Sequence, residues 1–135
     1  MIGIADTGFL VAFANRKDKY HDWALTLAQE VTSPLLTCEA VLAETAFHLQ
    51  SVTVTLDLIR AGLVAPAFNC SEHLPQLEAL AKRYADRKPD LADLCLIRMS
   101  ELHPRHRVIT VDREDFSIYR RNKREVIPLV CPPEK

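Results

Sequence analysis

The feature that most constrains the fold is a short apolar run at residues 2–7 that ends in a carboxylate, Asp6. A second apolar run follows at residues 9–14, so the pattern predicts a buried strand that delivers Asp6 to a strand-to-helix junction. Open α/β sheets bind ligands outside the carboxyl ends of their strands, which is where this acid would lie. Asp is also a good helix N-cap, and this acid alone does not distinguish a site from a cap.

Length and composition indicate one ordinary globular domain over residues 1–135, because 48% of the chain is hydrophobic and 26% is charged. The apolar runs are far shorter than the ~20 residues of a membrane span. The N-terminus lacks the basic region of a signal peptide, so we expect a cytoplasmic protein with no membrane association. The four cysteines are widely spaced, which predicts buried thiols and not a zinc site.

Basic residues collect near the C-terminus, although the formal net charge of the whole chain is only -1. Residues 103–135 contain eight Lys and Arg against five Asp and Glu, a local net charge of +3. Part of this excess is the run Arg120, Arg121, Lys123 and Arg124. Such a run is either a solvated surface or a binding site for an anionic substrate such as RNA.

Apolar runs alternate with helical periodicities along the chain, which is typical of a parallel α/β sheet. Helices are predicted over residues 9–14, 21–31, 38–50, 51–60 and 71–87, and another opens near residue 90. Besides the first strand, we predict strands at residues 35–37, 63–68, 108–112 and 126–130. Pro66 cannot donate to a ladder, and this places the 63–68 segment at an edge. Phe116 and Ile118 are predicted to be buried.

Glu44 is predicted to lie on the inward face of its helix. At about 100° per residue it shares a broad face with Val41, Phe47 and His48. Desolvating a carboxylate is costly, so an inward-facing Glu needs a compensating partner. That partner is either an Arg in a salt bridge or a ligand in a functional site.

Three further acids stand at the ends of predicted elements. Asp90 precedes a helical periodicity and Asp93 follows three residues later, the pattern of an N-cap and a first-turn carboxylate. Both acids could serve only to stabilise the helix, but capping by Asp90 leaves Asp93 available for chemistry. Asp112 closes an apolar run as Asp6 does, so parallel strands would bring both acids to one sheet edge. Asp115 follows in a predicted turn.

Four carboxylates are therefore candidates for one site: Asp6, Glu44, Asp93 and Asp112. Without a cation they would repel one another and raise their own pKa values. Mg²⁺ and Mn²⁺ prefer oxygen ligands, and a site of this kind suits metal-assisted hydrolysis of phosphodiesters. We expect Asp6, Asp93 and Asp112 to be the metal ligands.

The sequence resembles the PIN-domain family, and most closely its VapC-type toxin ribonucleases, over residues 2–133. The resemblance rests on Ile-Ala-Asp-Thr at 4–7, on Glu44, on Leu-Ala-Asp at 91–93, and on Ile-Thr-Val-Asp at 109–112 with Asp-Phe at 115–116. It implies a three-layer α/β fold with a central, mainly parallel sheet flanked by helices. It also implies a Mg²⁺- or Mn²⁺-dependent endoribonuclease for single-stranded RNA, with these four acids as its site.

The resemblance further implies that the Thr110 hydroxyl supports the site, that the protein is a homodimer, and that a small antitoxin blocks its cleft. Relatives often carry a small hydroxyl residue where this chain has Gly8. Thr7 is therefore a lesser candidate for the site, together with Asp90 and Asp115.

Two other functions remain open at the level of sequence. One is a catalytically silent PIN-like module that serves protein–protein interaction alone; the presence of all four acids argues against it. The other is a haloacid-dehalogenase-like phosphatase, which also begins with an acid after its first strand. That chemistry resembles a D-x-D pattern, whereas the second position here is Gly8.

Overall fold

The computed structural model describes residues 1–134 and contains a five-stranded parallel sheet and a short antiparallel hairpin. The strands, numbered along the chain, are β1 (Gly3–Ala5), β2 (Leu35–Thr37), β3 (Val64–Pro66), β4 (Arg107–Ile109), β5 (Arg120–Arg121), β6 (Glu125–Val126) and β7 (Leu129–Val130). The sheet order is β3-β2-β1-β4-β7, and each neighbouring pair is parallel.

Helices connect the strands and flank the sheet. They are α1 (Thr7–Ala14), α2 (His21–Ala28), α3 (Glu39–Leu49), α4 (Val52–Arg60), α5 (Leu74–Arg83), α6 (Leu91–Leu102) and α7 (Arg113–Ile118), with 3-10 turns at Cys70–His73 and Ala85–Arg87. Together with the parallel sheet, these helices confirm the predicted α/β architecture.

The order of the sheet changes direction at β1. β2 and β3 extend the sheet on one side of β1, and β4 and β7 extend it on the other. β1 and β4 are parallel and in register, with Ala5 opposite Ile109, so both strands end at the same edge. A crevice forms outside the carboxyl ends of strands at such a switch point. The fold therefore brings the residues that follow β1 and β4 to one place.

Polar caps set the starts of the helices. Asp6 accepts the backbone N–H of Thr7, so α1 begins before the predicted start at residue 9. Ser51 caps α4, and Gly62, with a φ of 84°, follows its end as predicted. Asp90 caps α6 by accepting the N–H of Asp93, again as predicted.

Three segments differ from the sequence prediction. α2 ends at Ala28, although a helix was predicted to residue 31. The predicted 71–87 helix is divided into a 3-10 turn, α5 and a second 3-10 turn, because Tyr84 leaves helical geometry with a ψ of 23°. The predicted 126–130 strand is shared between two sheets, because β6 pairs with β5 while β7 pairs with β4. Asn122 and Lys123 form the turn between β5 and β6, with φ values of 49° and 71°.

Burial agrees with the sequence pattern in the strands and departs from it in two helices, α3 and α7. Phe116 is fully buried as predicted, but the prediction for Ile118 is wrong, because 42% of its surface is exposed. The predicted inward face of α3 is also wrong at Phe47, which is 78% exposed, and at His48, which is exposed as well. α3 packs through Val41 and Thr45 instead, which are four residues apart and lie on one face.

The predicted burial of the cysteines is confirmed for two of the four. All four cysteines are free thiols, and Cys38 and Cys95 are buried while Cys70 and Cys131 are half-buried. None of the helices within residues 1–134 has the length and apolar character that a membrane crossing requires.

Candidate active site

Four carboxylates from four different elements line one cleft at the switch point, which has a volume of about 590 Å³. Asp6 follows β1, Asp112 follows β4, Asp93 lies in the first turn of α6, and Glu44 lies in the middle of α3. We call this the carboxylate cleft; its lining also includes Thr7, Asp90, Asp115, Lys19, Arg87 and Lys88. The cleft thus brings together the four acids that the sequence predicted for one site.

Asp6 is the most enclosed of the four acids, with 9% of its surface exposed. The Thr7 N–H donates to Oδ1 at 2.7 Å, and the Thr110 hydroxyl donates to Oδ2 at 2.6 Å. Burial raises the pKa of Asp6 above its usual range, and repulsion from Asp112 and Asp90 raises it further, although the two hydrogen bonds act against this. Asp6 therefore serves both as the N-cap of α1 and as a lining residue of the cleft.

Thr110 connects the acids that follow the two central strands. Its side chain is fully buried, and its hydroxyl donates to Asp6 while accepting the backbone N–H of Asp112 at 3.0 Å. Because the same oxygen does both, it fixes the distance between the Asp6 side chain and the chain at Asp112. This geometry is consistent with the supporting role that the resemblance implies for Thr110.

Glu44 is held by a threonine and not by an arginine. The Thr7 hydroxyl donates to its Oε2 at 3.1 Å. In the described part of the chain no Lys or Arg forms a salt bridge with Glu44, so the salt-bridge alternative is wrong. Burial and the nearby charge of Asp90 raise the pKa of the Glu44 carboxyl. Thr7 therefore contributes to the site through Glu44.

Asp93 is oriented by Tyr119, a residue that the sequence reasoning missed. The phenolic O–H of Tyr119 donates to Oδ2 of Asp93 at 3.0 Å. Burial and repulsion from Asp90 raise the pKa of Asp93 to about 7. The Tyr119 ring is fully buried, and burial together with the Asp93 charge raises its own pKa. Tyr119 directly precedes the basic run in the sequence. The basic charges were predicted to be functional there, and the Tyr119 hydroxyl was not.

Asp112 and Asp115 are linked by a helix cap. Oδ1 of Asp112 accepts the backbone N–H of Asp115 at 3.0 Å, which starts α7 and places Asp115 in its first turn. Burial raises the pKa of Asp112, and the Asp115 charge raises it further. The Asp115 carboxylate is engaged elsewhere, because Oδ1 accepts a hydrogen bond from Arg87 Nη2 at 2.6 Å.

The hydrogen bonds leave each of three carboxylates with one oxygen that receives no donor from residues 1–134. These oxygens are Oδ1 of Asp93, Oδ2 of Asp112 and Oε1 of Glu44. Within the same range, no three Asp, Glu, His or Cys side chains are already arranged as a metal site. The donor set nevertheless suits Mg²⁺, which binds through one or two carboxylates and keeps several waters.

The basic run does not line the carboxylate cleft. Arg121 is only 5% exposed, and its guanidinium donates to Ser100 O, Pro104 O and Glu125. The predicted RNA contact of Arg121 is therefore corrected to a structural role. Arg120 donates to the carbonyls of residues 117, 118 and 119.

Lys123 and Arg124 are exposed in the β5–β6 turn and also lie outside the lining of the cleft. The cations that do line it are Lys19, Arg87 and Lys88. Arg87 and Lys88 come from the connection between α5 and α6 and are separated from Asp90 by Pro89 alone. In the sequence, a basic pair next to a helix cap was the feature that could have predicted these two residues.

The packing around Gly8 explains why this position departs from the family pattern. A Cβ at this position would lie 2.3 Å from Cγ2 of Val111, so any side chain requires Val111 to move. The close approach of α1 to Val111, two residues after β4, therefore disfavours a hydroxyl residue at this position. The Thr7 hydroxyl is the one that reaches Glu44.

Comparisons with known proteins agree with this architecture. The family model of the PIN domain matches residues 4–122. Among solved structures, VapC20 of Mycobacterium tuberculosis, described as a Sarcin-Ricin loop cleaving toxin, is similar with a TM-score of 0.67 and 19% identity, over 80% of this chain and 87% of that one. VapBC2 of Rickettsia felis, bound to a DNA fragment from its promoter, has a TM-score of 0.63 and 17% identity, over 98% of this chain and 100% of that one.

A comparison with curated proteins finds no match. At these identities the two solved structures establish a shared fold. The family model covers most of the chain and includes Asp6, Glu44, Asp93 and Asp112. The chain therefore belongs to the PIN-domain family.

Proposed function

We propose that this PIN-domain protein is a metal-dependent endoribonuclease that cleaves single-stranded RNA and acts as the toxin of a toxin–antitoxin pair. The observation that carries the proposal is the convergence of Asp6, Glu44, Asp93 and Asp112 on one cleft. Burial raises the pKa of each, and for Asp6, Glu44 and Asp93 repulsion from other acids of the cleft raises it further. A fold that gathers such charges at a switch point is suited to binding a cation there.

Asp93 and Asp112, each with one oxygen that receives no donor, would hold Mg²⁺ or Mn²⁺ together with Asp6, whose two hydrogen-bonded oxygens each keep a second lone pair. A divalent metal, when bound, supplies activation of water and neutralisation of charge on the phosphoryl group. Glu44 lies in the same cleft with one oxygen that receives no donor, so we assign it to orienting the attacking water. The hydroxyls of Thr7, Thr110 and Tyr119 keep the carboxylates in place before RNA arrives.

Cations at the margin of the cleft suit an anionic substrate. Arg87 is held by Asp115, and its Nε is buried without a partner in the described chain. Lys88 adopts a left-handed conformation with a φ of 51° and precedes Pro89, which stiffens the connection to Asp90. We infer that Arg87 and Lys88 contact RNA phosphates. Lys123 and Arg124 are exposed but do not line the cleft, so we do not assign them to these contacts.

The proposed antitoxin partner is supported by one of the similar solved structures. The similar structure from Rickettsia felis is a VapBC2 assembly, and this supports a small antitoxin as the partner of the present chain. We also propose a homodimer and a cytoplasmic location.

The silent interaction module is the second candidate, and one observation favours it: no metal site is preformed within residues 1–134. The phosphatase is disfavoured by Gly8, because an acid there would collide with Val111.

The test is cleavage of a single-stranded RNA with Mg²⁺ or Mn²⁺ by wild type, Asp93→Asn and Asp112→Asn. Both changes keep the shape of the side chain and remove the charge, so cleavage should fall by about 100-fold or more. Asp86→Asn is the matched control, because Asp86 is exposed and does not line the cleft. Circular dichroism checks folding.

Two outcomes would contradict the proposal. Cleavage that persists in EDTA, or in both variants, would remove the role of the carboxylates. Absence of cleavage by folded wild-type protein with either metal would favour the interaction module.

A further inference from the structure

A second groove continues from the carboxylate cleft along the start of α2. It has a volume of about 710 Å³ and shares Lys19, Tyr20 and Val111 with the lining of the cleft. Trp23, Arg113 and residues 131–134 complete its lining. We call it the aromatic groove. Because the two depressions share lining residues, a polymer that enters the cleft can extend into the groove without leaving the surface.

Two rings give the groove its aromatic surface. Tyr20 and Trp23 meet edge to face, with centroids 6.4 Å apart. Trp23 also packs edge-on against the buried ring of Phe9 at 5.9 Å, which anchors the indole from the core side. Both rings are partly exposed. In the described part of the chain, neither the Tyr20 hydroxyl nor the indole N–H of Trp23 makes a hydrogen bond, so both donors are available to a ligand.

Cations border these rings. Nζ of Lys19 lies over the Tyr20 ring, 4.9 Å from its centroid, so a base that stacks on this face has to displace the exposed Lys19 side chain. Arg113 lies in the same groove, where Glu134 is paired with it at 3.2 Å through an ion pair that is largely exposed. An exposed ion pair of this kind is weak and a phosphate can compete for it. Basic residues therefore outnumber acidic ones in the groove and in the turn before α2, with Arg16, Lys17, Lys19 and Arg113 against Asp18 and Glu134.

We propose that the aromatic groove binds the nucleotides of a single-stranded RNA next to the phosphate that the carboxylate cleft holds. The bases stack on Tyr20 and Trp23, and the backbone phosphates lie near Lys19 and Arg113. This inference rests on the proposed ribonuclease function and names where its substrate runs. Aromatic rings beside a line of cations are the general device by which proteins bind single strands without reading their sequence. The volume is that of a site for a ligand of nucleotide size.

Trp23 is the single tryptophan of the chain, so its emission reports this groove without a label. The probe is a single-stranded RNA of roughly ten nucleotides, a length within the range that single-strand binding sites cover. EDTA in the buffer prevents metal-dependent cleavage, and an end-labelled copy gives the affinity by anisotropy. We expect RNA to quench Trp23. An oligonucleotide with the same backbone and abasic sites should quench it much less.

Two variants separate stacking from charge. Tyr20→Leu should weaken RNA binding by about five-fold or more, the loss expected for one stacked base. Lys19→Gln leaves the core untouched and should reduce the slope of log affinity against log salt by about 0.7, the loss of one phosphate contact. Lys82→Gln is the matched control, because Lys82 is exposed on α5 and lines neither depression.

The outcomes distinguish this inference from the proposed function. RNA that binds with unchanged Trp23 emission, and is cleaved when Mn²⁺ is added, would overturn the groove and leave the ribonuclease; a protein segment would then be the occupant to test. Quenching by RNA without cleavage would uphold the groove and reject the ribonuclease. Failure of RNA to bind the folded protein would overturn the groove as an RNA site.

Discussion

The carboxylate cleft and the basic hairpin, residues 120–126, are both dense in charge, but the fold treats their charges in opposite ways. In the cleft Asp6, Glu44, Asp93 and Asp112 accept hydrogen bonds from neutral donors, namely threonine and tyrosine hydroxyls and backbone N–H groups. In the hairpin the guanidinium groups of Arg120 and Arg121 donate to carbonyls, and Arg121 also pairs with Glu125. In the cleft the carboxylates are held in position but keep their negative charge. In the hairpin the positive charge of the two guanidinium groups is compensated by carbonyl oxygens and by Glu125.

The difference teaches how to separate a functional from a structural cluster of charge. A neutral donor orients a carboxylate and still leaves its negative charge available to a cation. An arginine that spends its donors on buried carbonyls has little left for a ligand. The partners of a charged group therefore say more about its role than the number of charges nearby.

The largest effect that this comparison predicts is on stability, at Arg121. Arg121→Ala removes the donors to Ser100 O and Pro104 O and should lower the free energy of unfolding by about 2–4 kcal/mol. Arg124→Ala, at an exposed position of the same hairpin, should change it by less than about 0.5 kcal/mol. Urea denaturation measures both. If the two variants were equally stable, Arg121 would not be the anchor of the hairpin.

The next effect concerns activity, and it tests the hydroxyl that joins two of the acids. Thr110→Val keeps the shape of a buried side chain but removes the hydrogen bonds to Asp6 and from the Asp112 N–H. Metal-dependent RNA cleavage should fall by about 10- to 100-fold, as for other residues that orient metal ligands. Thr53→Val, an exposed change on α4, is the control. Equal rates for the two variants would show that Asp6 needs no support from Thr110.

The sequence was sufficient to predict three of the four acids, Asp6, Asp93 and Asp112, because each stands at an element boundary that local rules identify, whereas Glu44 was predicted from the helical periodicity of α3. Asp6 and Asp112 end apolar runs, and Asp90 with Asp93 form a capping pattern. Parallel topology then brings the ends of β1 and β4 together. These inferences require only local periodicity and one rule about open sheets.

What the sequence could not supply were contacts between distant residues. Tyr119 reaches Asp93 across 26 positions, and Arg87 reaches Asp115 across 28. The structural role of Arg121 was not predicted for the same reason, because Ser100 and Pro104, which accept its hydrogen bonds, lie on α6 and in the connection that follows α6. The exposure of Phe47 depends on which side of α3 packs, and periodicity leaves that choice open when a helix is apolar on several sides.

A smaller effect is expected on the pH dependence of stability in the metal-free protein. The pKa of Asp93 is about 7 in the fold, above its usual 3.8, so the folded state holds this proton more tightly than the unfolded chain does. The free energy of unfolding should therefore fall as pH rises from about 4 to 7, and its dependence on Asp93 should level off above 7. Melting temperatures in EDTA measure this trend.

Asp93→Asn should flatten that decline and raise the melting temperature of the metal-free protein near pH 7.5 by a few degrees. Mg²⁺ or Mn²⁺ should raise the melting temperature of wild type at the same pH more than that of Asp93→Asn, because a ligand of the folded state stabilises it. Asp86→Asn controls for the loss of one negative charge. Parallel pH curves for wild type and Asp93→Asn would mean that burial and repulsion in the cleft do not raise the pKa of Asp93.

The smallest effect compares one cation of the carboxylate cleft with one of the basic hairpin. Arg87 lines the cleft and Lys123 lies exposed in the hairpin turn, so only the first is placed to contact a phosphate that reaches the acids. Arg87→Gln should lower the slope of log RNA affinity against log salt by about 0.7, whereas Lys123→Gln should leave it within error. Arg87→Gln also frees Asp115, whose charge would then repel the backbone, so affinity at low salt should fall more than the loss of one contact predicts. The double variant Arg87→Gln, Asp115→Asn removes this repulsion and should recover part of the affinity but none of the slope. A larger change of slope for Lys123→Gln than for Arg87→Gln would reverse the comparison, because RNA would then bind along the basic hairpin.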